Sequence, residues 1–234
     1  MKILLVGKNS KNIEGSVKKH GFSLVQDKPD VIISYGGDGT LLYAEIHHPG
    51  IPKLPLRESR FCHKCSDHQD EELLTKLKNH QLRLKEYAKL ETKYQNQTLL
   101  ALNDFVIRNE HTIHAIRFQI TSISSQLFIG DGIVLSTPFG SSGYFKSITQ
   151  KTFKEGFGLA FNNTTQKIDP IFLNKDDQVQ FKLIRGVAIL TFDNSSKVYP
   201  VEIGKVITFK LSSQKARIYE AESLRCPNCE VIRD

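Results

Sequence analysis

Asp30-Val31-Ile32-Ile33-Ser34-Tyr35-Gly36-Gly37-Asp38-Gly39-Thr40 is the stretch whose reading decides the fold. Its first half is a short apolar run rich in β-branched residues, which fits a buried strand. Its second half packs three glycines around one carboxylate. A helix is expected to follow over about 40–47, giving strand, Gly-rich loop, helix: an α/β nucleotide-binding layout. Glycines let the backbone turn sharply and approach phosphates closely, so that its N–H groups can bind them. A carboxylate inside such a loop is out of place if the loop only holds anions. It suits a base, or a metal-linked group, beside a reacting phosphate. The plainer reading is a Gly-Asp turn at a strand end.

Upstream, residues 2–6 read as a buried first strand and residues 10–20 as a helix with Ser10 as its N-cap. Downstream, the Pro-rich segment from Pro49 to Pro55 reads as irregular. Residues 69–79 read as a helix, acidic early and basic late, as the helix dipole favours. Beyond residue 80 the pattern changes to apolar runs and alternation, so the second half reads as mostly β. The expected architecture is an α/β Rossmann-like N-terminal domain, residues 1–79, plus a β-rich C-terminal domain, residues 80–215. The tail, residues 216–234, returns to the first domain. Pockets commonly form between domains, and the active site is expected there.

The chain has 234 residues, 39% hydrophobic and 24% charged, with formal net charge +7. No apolar run reaches the ~20 residues of a membrane span. The start, Met1 to Gly7, lacks the length and cleavage site of a secretory signal, so the expected location is cytoplasmic. A basic balance favours polyanionic partners. The positive charge is dispersed, however, as a solvated face would have it, and no nucleic-acid or membrane partner is expected.

Two further motifs carry chemistry. Gly130-Asp131-Gly132 leads through a hydrophobic strand into Ser136-Thr137-Pro138-Phe139-Gly140-Ser141-Ser142-Gly143-Tyr144. Hydroxyls there suit ribose or phosphate, and Tyr144 suits a ring; a Ser/Gly hairpin loop is the competing reading. Asn103-Asp104 heads an apolar strand. An amide beside a carboxylate can read an adenine edge and a ribose hydroxyl, or can simply form a turn or cap.

In order and spacing, these three sites resemble the NAD kinase family: GGDGT near the start, then ALND, then the block from Gly130 to Ser147. GGDGT alone is shared with lipid kinases and, in variant form, with phosphofructokinases; the 130–147 block selects NAD kinase. The resemblance implies transfer of a phosphoryl group from ATP, or another nucleotide or polyphosphate, to the adenosine-ribose 2′-hydroxyl of NAD. It implies that Asp38 is the base and that Gly36, Gly37, Gly39 and Thr40 shape the phosphate loop. Asn103 would bond adenine, and Asp104 a ribose hydroxyl in place of the family's usual Glu. Asp131 would sit on the nicotinamide side, Ser142, Gly143, Tyr144 and Ser147 would line the NAD pocket, and Asn194, in the turn Asp193-Asn194, would lie near the nucleotide. Mg²⁺ would accompany ATP, and the assembly would be a homo-oligomer.

The chain departs from the family after GGDGT. The usual Gly-rich segment is replaced by Ile51-Pro52-Lys53-Leu54-Pro55-Leu56-Arg57-Glu58-Ser59-Arg60-Phe61, so donor preference and activity are open to change. All four cysteines form two Cys-x₂-Cys pairs, Cys62/Cys65 and Cys226/Cys229. Four thiolates complete a closed tetrahedral zinc shell, and a structural zinc is expected. Two reduced pairs, or disulfides, are the alternative. Competing functions are a lipid kinase, a non-catalytic nucleotide-binding module on a decayed kinase scaffold, and a zinc-ribbon nucleic-acid binder.

Overall fold

The computed structural model of the protein describes residues 1–58 and 70–220. They fall into two compact units: Met1–Tyr87 with the described residues from Ala216 on, and Ala88–Lys215.

The first unit runs β1 (Lys2–Val6), a 3₁₀ turn (Ser10–Ile13), α1 (Glu14–Lys19), β2 (Ser23–Leu24), β3 (Val31–Tyr35), α2 (Asp38–His47), β4 (Lys53–Leu56) and α3 (Asp70–Lys78). The strands lie in the order β2-β1-β3-β4, all parallel. The end of the last strand joins the far side, where Ile218 pairs with Lys53 in parallel. Alternation along the strands builds two cores. Ile3, Val31, Ile33, Leu54 and Leu56 pack with Val17, Leu74 and Leu77. The intervening Leu4 and Ile32 pack with Ala44 of α2. Both faces are covered, as an all-parallel sheet requires.

The α2 layer also holds charge. Lys53 is fully buried and its ammonium donates to Glu45, itself buried, and to the His48 carbonyl at 2.6 Å. Glu45 lies on α2 and Lys53 on β4, so this pair fixes the helix on the sheet.

The second unit is β-rich. It contains most of β5 (Leu84–Tyr94), then β6 (Gln97–Ala101), β7 (Asp104–Asn109), β8 (Ile116–Ile120), β9 (Phe128–Gly130) and β10 (Gly132–Ser136). After α4 (Tyr144–Thr149) come β11 (Phe157–Asn162), β12 (Ile171–Leu173), β13 (Gln178–Arg185), β14 (Ala188–Phe192), β15 (Tyr199–Val201) and β16 (Val206–Tyr219), whose last residues belong to the first unit. One antiparallel sheet has the order β12-β11-β10-β7-β14-β15. In the other, β16, β13, β8 and β9 follow one another, with the β5–β6 hairpin attached at β16. Aromatic rings join the two: Phe105 lies 5.3 Å from Phe209, and Phe128 lies 5.0 Å from Phe161. β10 is buried along its whole length, which explains its unbroken apolar reading.

Three local expectations are corrected. Ser10 does not cap a helix; it opens the 3₁₀ turn, and α1 starts at Glu14. The helix after the Gly-rich loop starts at Asp38, two residues earlier than expected. Residues 53–56 form a strand rather than an irregular segment. Among the described residues β3 pairs along the whole of β4, and β16 pairs with it at Lys53. No helix among the described residues is long and apolar enough to cross a membrane.

Candidate active site

In the first unit the Gly-rich loop joins β3 to α2. The Gly36 N–H donates to the Leu56 carbonyl at 2.8 Å, tying the loop to the end of β4. Gly36 has φ 157°, and a Cβ there would lie 2.3 Å from the Thr40 hydroxyl oxygen. Only glycine lets the loop fold beneath the first turn of the helix. The Gly37 carbonyl accepts from Thr40 and Leu41, at 3.0 and 3.3 Å, and starts the helix. Asp38 is the first helical residue and is exposed. The loop therefore presents a carboxylate and the N–H groups of a helix start together.

The replaced segment contributes beside it. Asn9, after β1, donates its side-chain amide to Glu58 at 2.7 Å. Burial, then Asp70 and Glu58, push the Tyr35 hydroxyl up. Asp70 is itself raised to about 6, by burial first and then by Glu71. Glu58 after β4 and Asp70 at the start of α3 thus set acidic groups near Tyr35, at the end of β3.

In the second unit the candidate residues gather around the turn Leu102-Asn103-Asp104 at the head of β7. On one side stands the loop after β10. The Thr137 hydroxyl donates to Leu102 O at 2.6 Å, the Thr137 N–H to Asn103 O at 2.9 Å, and the Ser136 hydroxyl to Asn103 O at 3.2 Å. A Cβ on Gly140 would lie 2.3 Å from that same carbonyl oxygen, so glycine is required for the close approach. Ser136 and Thr137 are fully buried. This corrects their reading as ligand hydroxyls, because their oxygens serve the backbone of the turn.

On the other side stands Asp193, after β14. Its carboxylate accepts from the N–H groups of Leu102 at 2.8 Å, Asn103 at 2.7 Å and Asp104 at 3.2 Å. Its own N–H donates to Asp104 O at 3.0 Å. Asn103 is half-buried and Asp104 is buried. Burial, and then the Asp193 carboxylate, push Asp104 up to about 7. Asp193 is raised by burial to about 6, held back by its three backbone bonds and by Lys89.

The remaining expected residues are spread along the same sheet. Gly143 precedes α4, and Tyr144 opens it with its hydroxyl accepting from Asn162 at 3.1 Å. Ser147 is exposed and donates to the Tyr144 carbonyl at 2.7 Å; Ser142 is half-buried and Asn194 exposed. Asp131 does not join Asp104. It sits at the other end of the β7–β10 ladder, beside Asn109, about 17 Å along the strand. Its two oxygens accept from Asn109 at 3.3 Å and Asn163 at 3.0 Å.

The resemblance puts Asp193-Asn194 in a turn near the nucleotide with Asn194 as the site residue, and it missed the hold of the Asp193 carboxylate on the Leu102–Asp104 backbone. The signal was present: an Asp at a strand end before Asn-Ser can take a left-handed turn and aim its carboxylate at backbone N–H groups. The cysteines Cys62, Cys65, Cys226 and Cys229 lie outside the described residues. Among the described residues, no group of three or more His, Cys, Asp or Glu is placed to hold a metal.

No family model matches the chain. It is 31% identical over 162 residues to the NAD kinase of Sulfurisphaera tokodaii, an alignment covering 64% of this chain and 63%, just under two thirds, of that one. It is 27% identical over 246 residues to the NAD kinase of Saccharolobus islandicus, covering 93% of each. Its fold matches that of an NAD kinase from Archaeoglobus fulgidus, solved in complex with ATP, with TM-score 0.75, 19% identity and 96% of each chain covered.

The chain is similar to NAD kinases in sequence and in fold. Its α/β unit and its antiparallel β unit are those of the NAD kinase fold.

Proposed function

We propose that the chain transfers the γ-phosphoryl group of ATP to the 2′-hydroxyl of the adenosine ribose of NAD, giving NADP and ADP. The carrying observation is Asp38, an exposed carboxylate on the first turn of α2, at the end of a loop that only glycine allows. A ribose hydroxyl is a poor nucleophile at neutral pH. In this reading Asp38 takes its proton as the oxygen attacks the γ-phosphorus, and the bond to the β–γ bridging oxygen breaks. Such base catalysis contributes ~10²–10⁴-fold. Gly36, Gly37, Gly39 and Thr40 hold phosphates through the loop. Mg²⁺ accompanying the nucleotide would neutralise phosphate charge.

Asn103 reads the adenine edge, and Asp104 accepts a bond from a ribose hydroxyl. Ser142, Gly143, Tyr144, Ser147 and Asn194 line the dinucleotide. The separation of Asp131 from Asp104 along the sheet suits the nicotinamide end. The test is NADP⁺ formation from NAD⁺, Mg²⁺ and ATP, other nucleoside triphosphates or polyphosphate. Product with one of these supports the reading; a folded, zinc-loaded protein that makes none with any of them overturns it.

The spacing of Cys62, Cys65, Cys226 and Cys229 further supports one structural zinc ion. A closed Cys₄ shell offers no open position for substrate. One zinc per chain, and a melting transition that drops on chelation, are the expected results. Chelation that leaves the transition in place counts against it. The same reading carries cytoplasmic location and homo-oligomeric assembly, the latter checked by light scattering.

A further inference from the structure

Asp193 has φ 48°, a left-handed conformation that is uncommon for a residue other than glycine. Three successive backbone N–H groups, those of Leu102, Asn103 and Asp104, converge on its carboxylate. Such a row of N–H groups is a ready anion site, and here an internal carboxylate fills it. A fourth bond returns from the Asp193 N–H to Asp104 O. The opposite side of the turn is already held by Ser136 and Thr137. The turn is thus over-determined, and the device chosen is an expensive one. A neutral acceptor would satisfy N–H groups without setting a second carboxylate beside the buried Asp104. Cost accepted at this point, and rigidity imposed on these three residues, are what a binding group held to a fixed geometry requires.

We propose that Asp193 is a positioning residue, whose carboxylate holds the backbone of Leu102–Asp104 and so fixes Asn103 and Asp104 for NAD. The inference rests on the NAD kinase reading of Asn103 and Asp104. Asp193 touches no substrate and acts through its neighbours. It has a second effect on Asp104: its negative charge raises the pH at which Asp104 ionises. The other groups at the turn are Lys89 from β5, which draws Asp193 the other way, and the uncharged hydroxyls of Ser136 and Thr137. Asp104 accepts the ribose hydroxyl as a carboxylate, so NAD binding weakens as pH falls through its ionisation.

The test is Asp193→Asn, which keeps the shape but turns one acceptor into a donor facing N–H groups. KM for NAD is expected to rise about tenfold, the loss of one good charge-assisted bond, with kcat and KM for ATP little changed. The acid limb of the pH profile of KM for NAD is expected to move to lower pH, which loss of packing alone would not do. In an Asn103→Ala/Asp104→Asn background the Asp193→Asn effect on NAD binding is expected to vanish. Wild-type KM together with a wild-type limb in Asp193→Asn overturns the proposal. If the wild type makes no NADP, it is the function reading that fails, and amide exchange still decides the hold. The Leu102, Asn103 and Asp104 amides are expected to exchange slowly in the wild type and much faster in the variant. Should the variant fail to fold, the wild type alone decides: exchange at these amides as fast as in an unstructured peptide overturns the proposal.

Discussion

Asp104 sits where a carboxyl is costly. Burial and the neighbouring Asp193 carry it from the ordinary Asp value up to about 7. A carboxyl raised on folding supports the fold fully below its unfolded value, and that support is lost as pH rises through the folded value. Stability is therefore expected to decline between about pH 4 and pH 7, with Asp193 and Asp70 contributing in the same sense near 6. Asp104→Asn should flatten this slope. Denaturant melts should show the variant roughly 1–2 kcal/mol more stable at pH 8, little changed at pH 4, and weaker for NAD. A variant less stable at both pH values would contradict the placement of Asp104. Gly140 gives a second prediction. Gly140→Ala drives a methyl onto the Asn103 carbonyl, and about 1–3 kcal/mol of stability should be lost together with NAD affinity, read by urea melts and NAD titration. The placement of Asp38, Asn103 and Asp104 was legible residue by residue, because they are polar groups at the ends of apolar stretches. The service of Ser136, Thr137 and Asp193 to one turn was not legible. It depends on pairing across 33 to 91 positions of sequence, which composition does not encode.

Among the elements, α2 has the most to hold. It carries Asp38 at one end and buries Leu41, Leu42, Ala44 and Glu45 against the sheet. Glu45 meets Lys53 of β4 in a pair cut off from water. Removing one partner leaves a buried charge. Lys53→Met is expected to cost about 3–5 kcal/mol, and adding Glu45→Leu to recover most of it. A thermal melt of the two variants checks this, and equal losses in both would contradict it. The same pair explains why β4 was hard to read. A lysine and two prolines within Pro52–Pro55 spoil the apolar signal of a strand that is nonetheless buried throughout. The β5–β6 hairpin hid its turn similarly. Gln95 and Asn96 both take positive φ without a glycine to announce it. By contrast β3, β7, β10 and β14 hold apolar runs and β13 alternates polar with apolar residues, and pattern alone finds them.

At the scale of the molecule, the chain leaves the first unit after Tyr87 and comes back to it at Ala216. Ala216 and Ile218 are buried there, and Ile218 completes the pairing of β4. A fragment ending at residue 87 is therefore expected to fold less stably than the same unit in the whole chain, seen as faster amide exchange in β3 and β4. Unchanged protection would contradict the role of the returning strand. The central claim is that this chain uses the carboxylate at the start of α2 to activate the ribose hydroxyl. It is tested most directly by NADP⁺ formation from NAD⁺ and MgATP in the wild type and in Asp38→Asn, with NAD affinity measured alongside. The account predicts a kcat reduced by about 10²–10⁴-fold in the variant, with NAD binding retained. An Asp38→Asn protein that turns over like the wild type would contradict it.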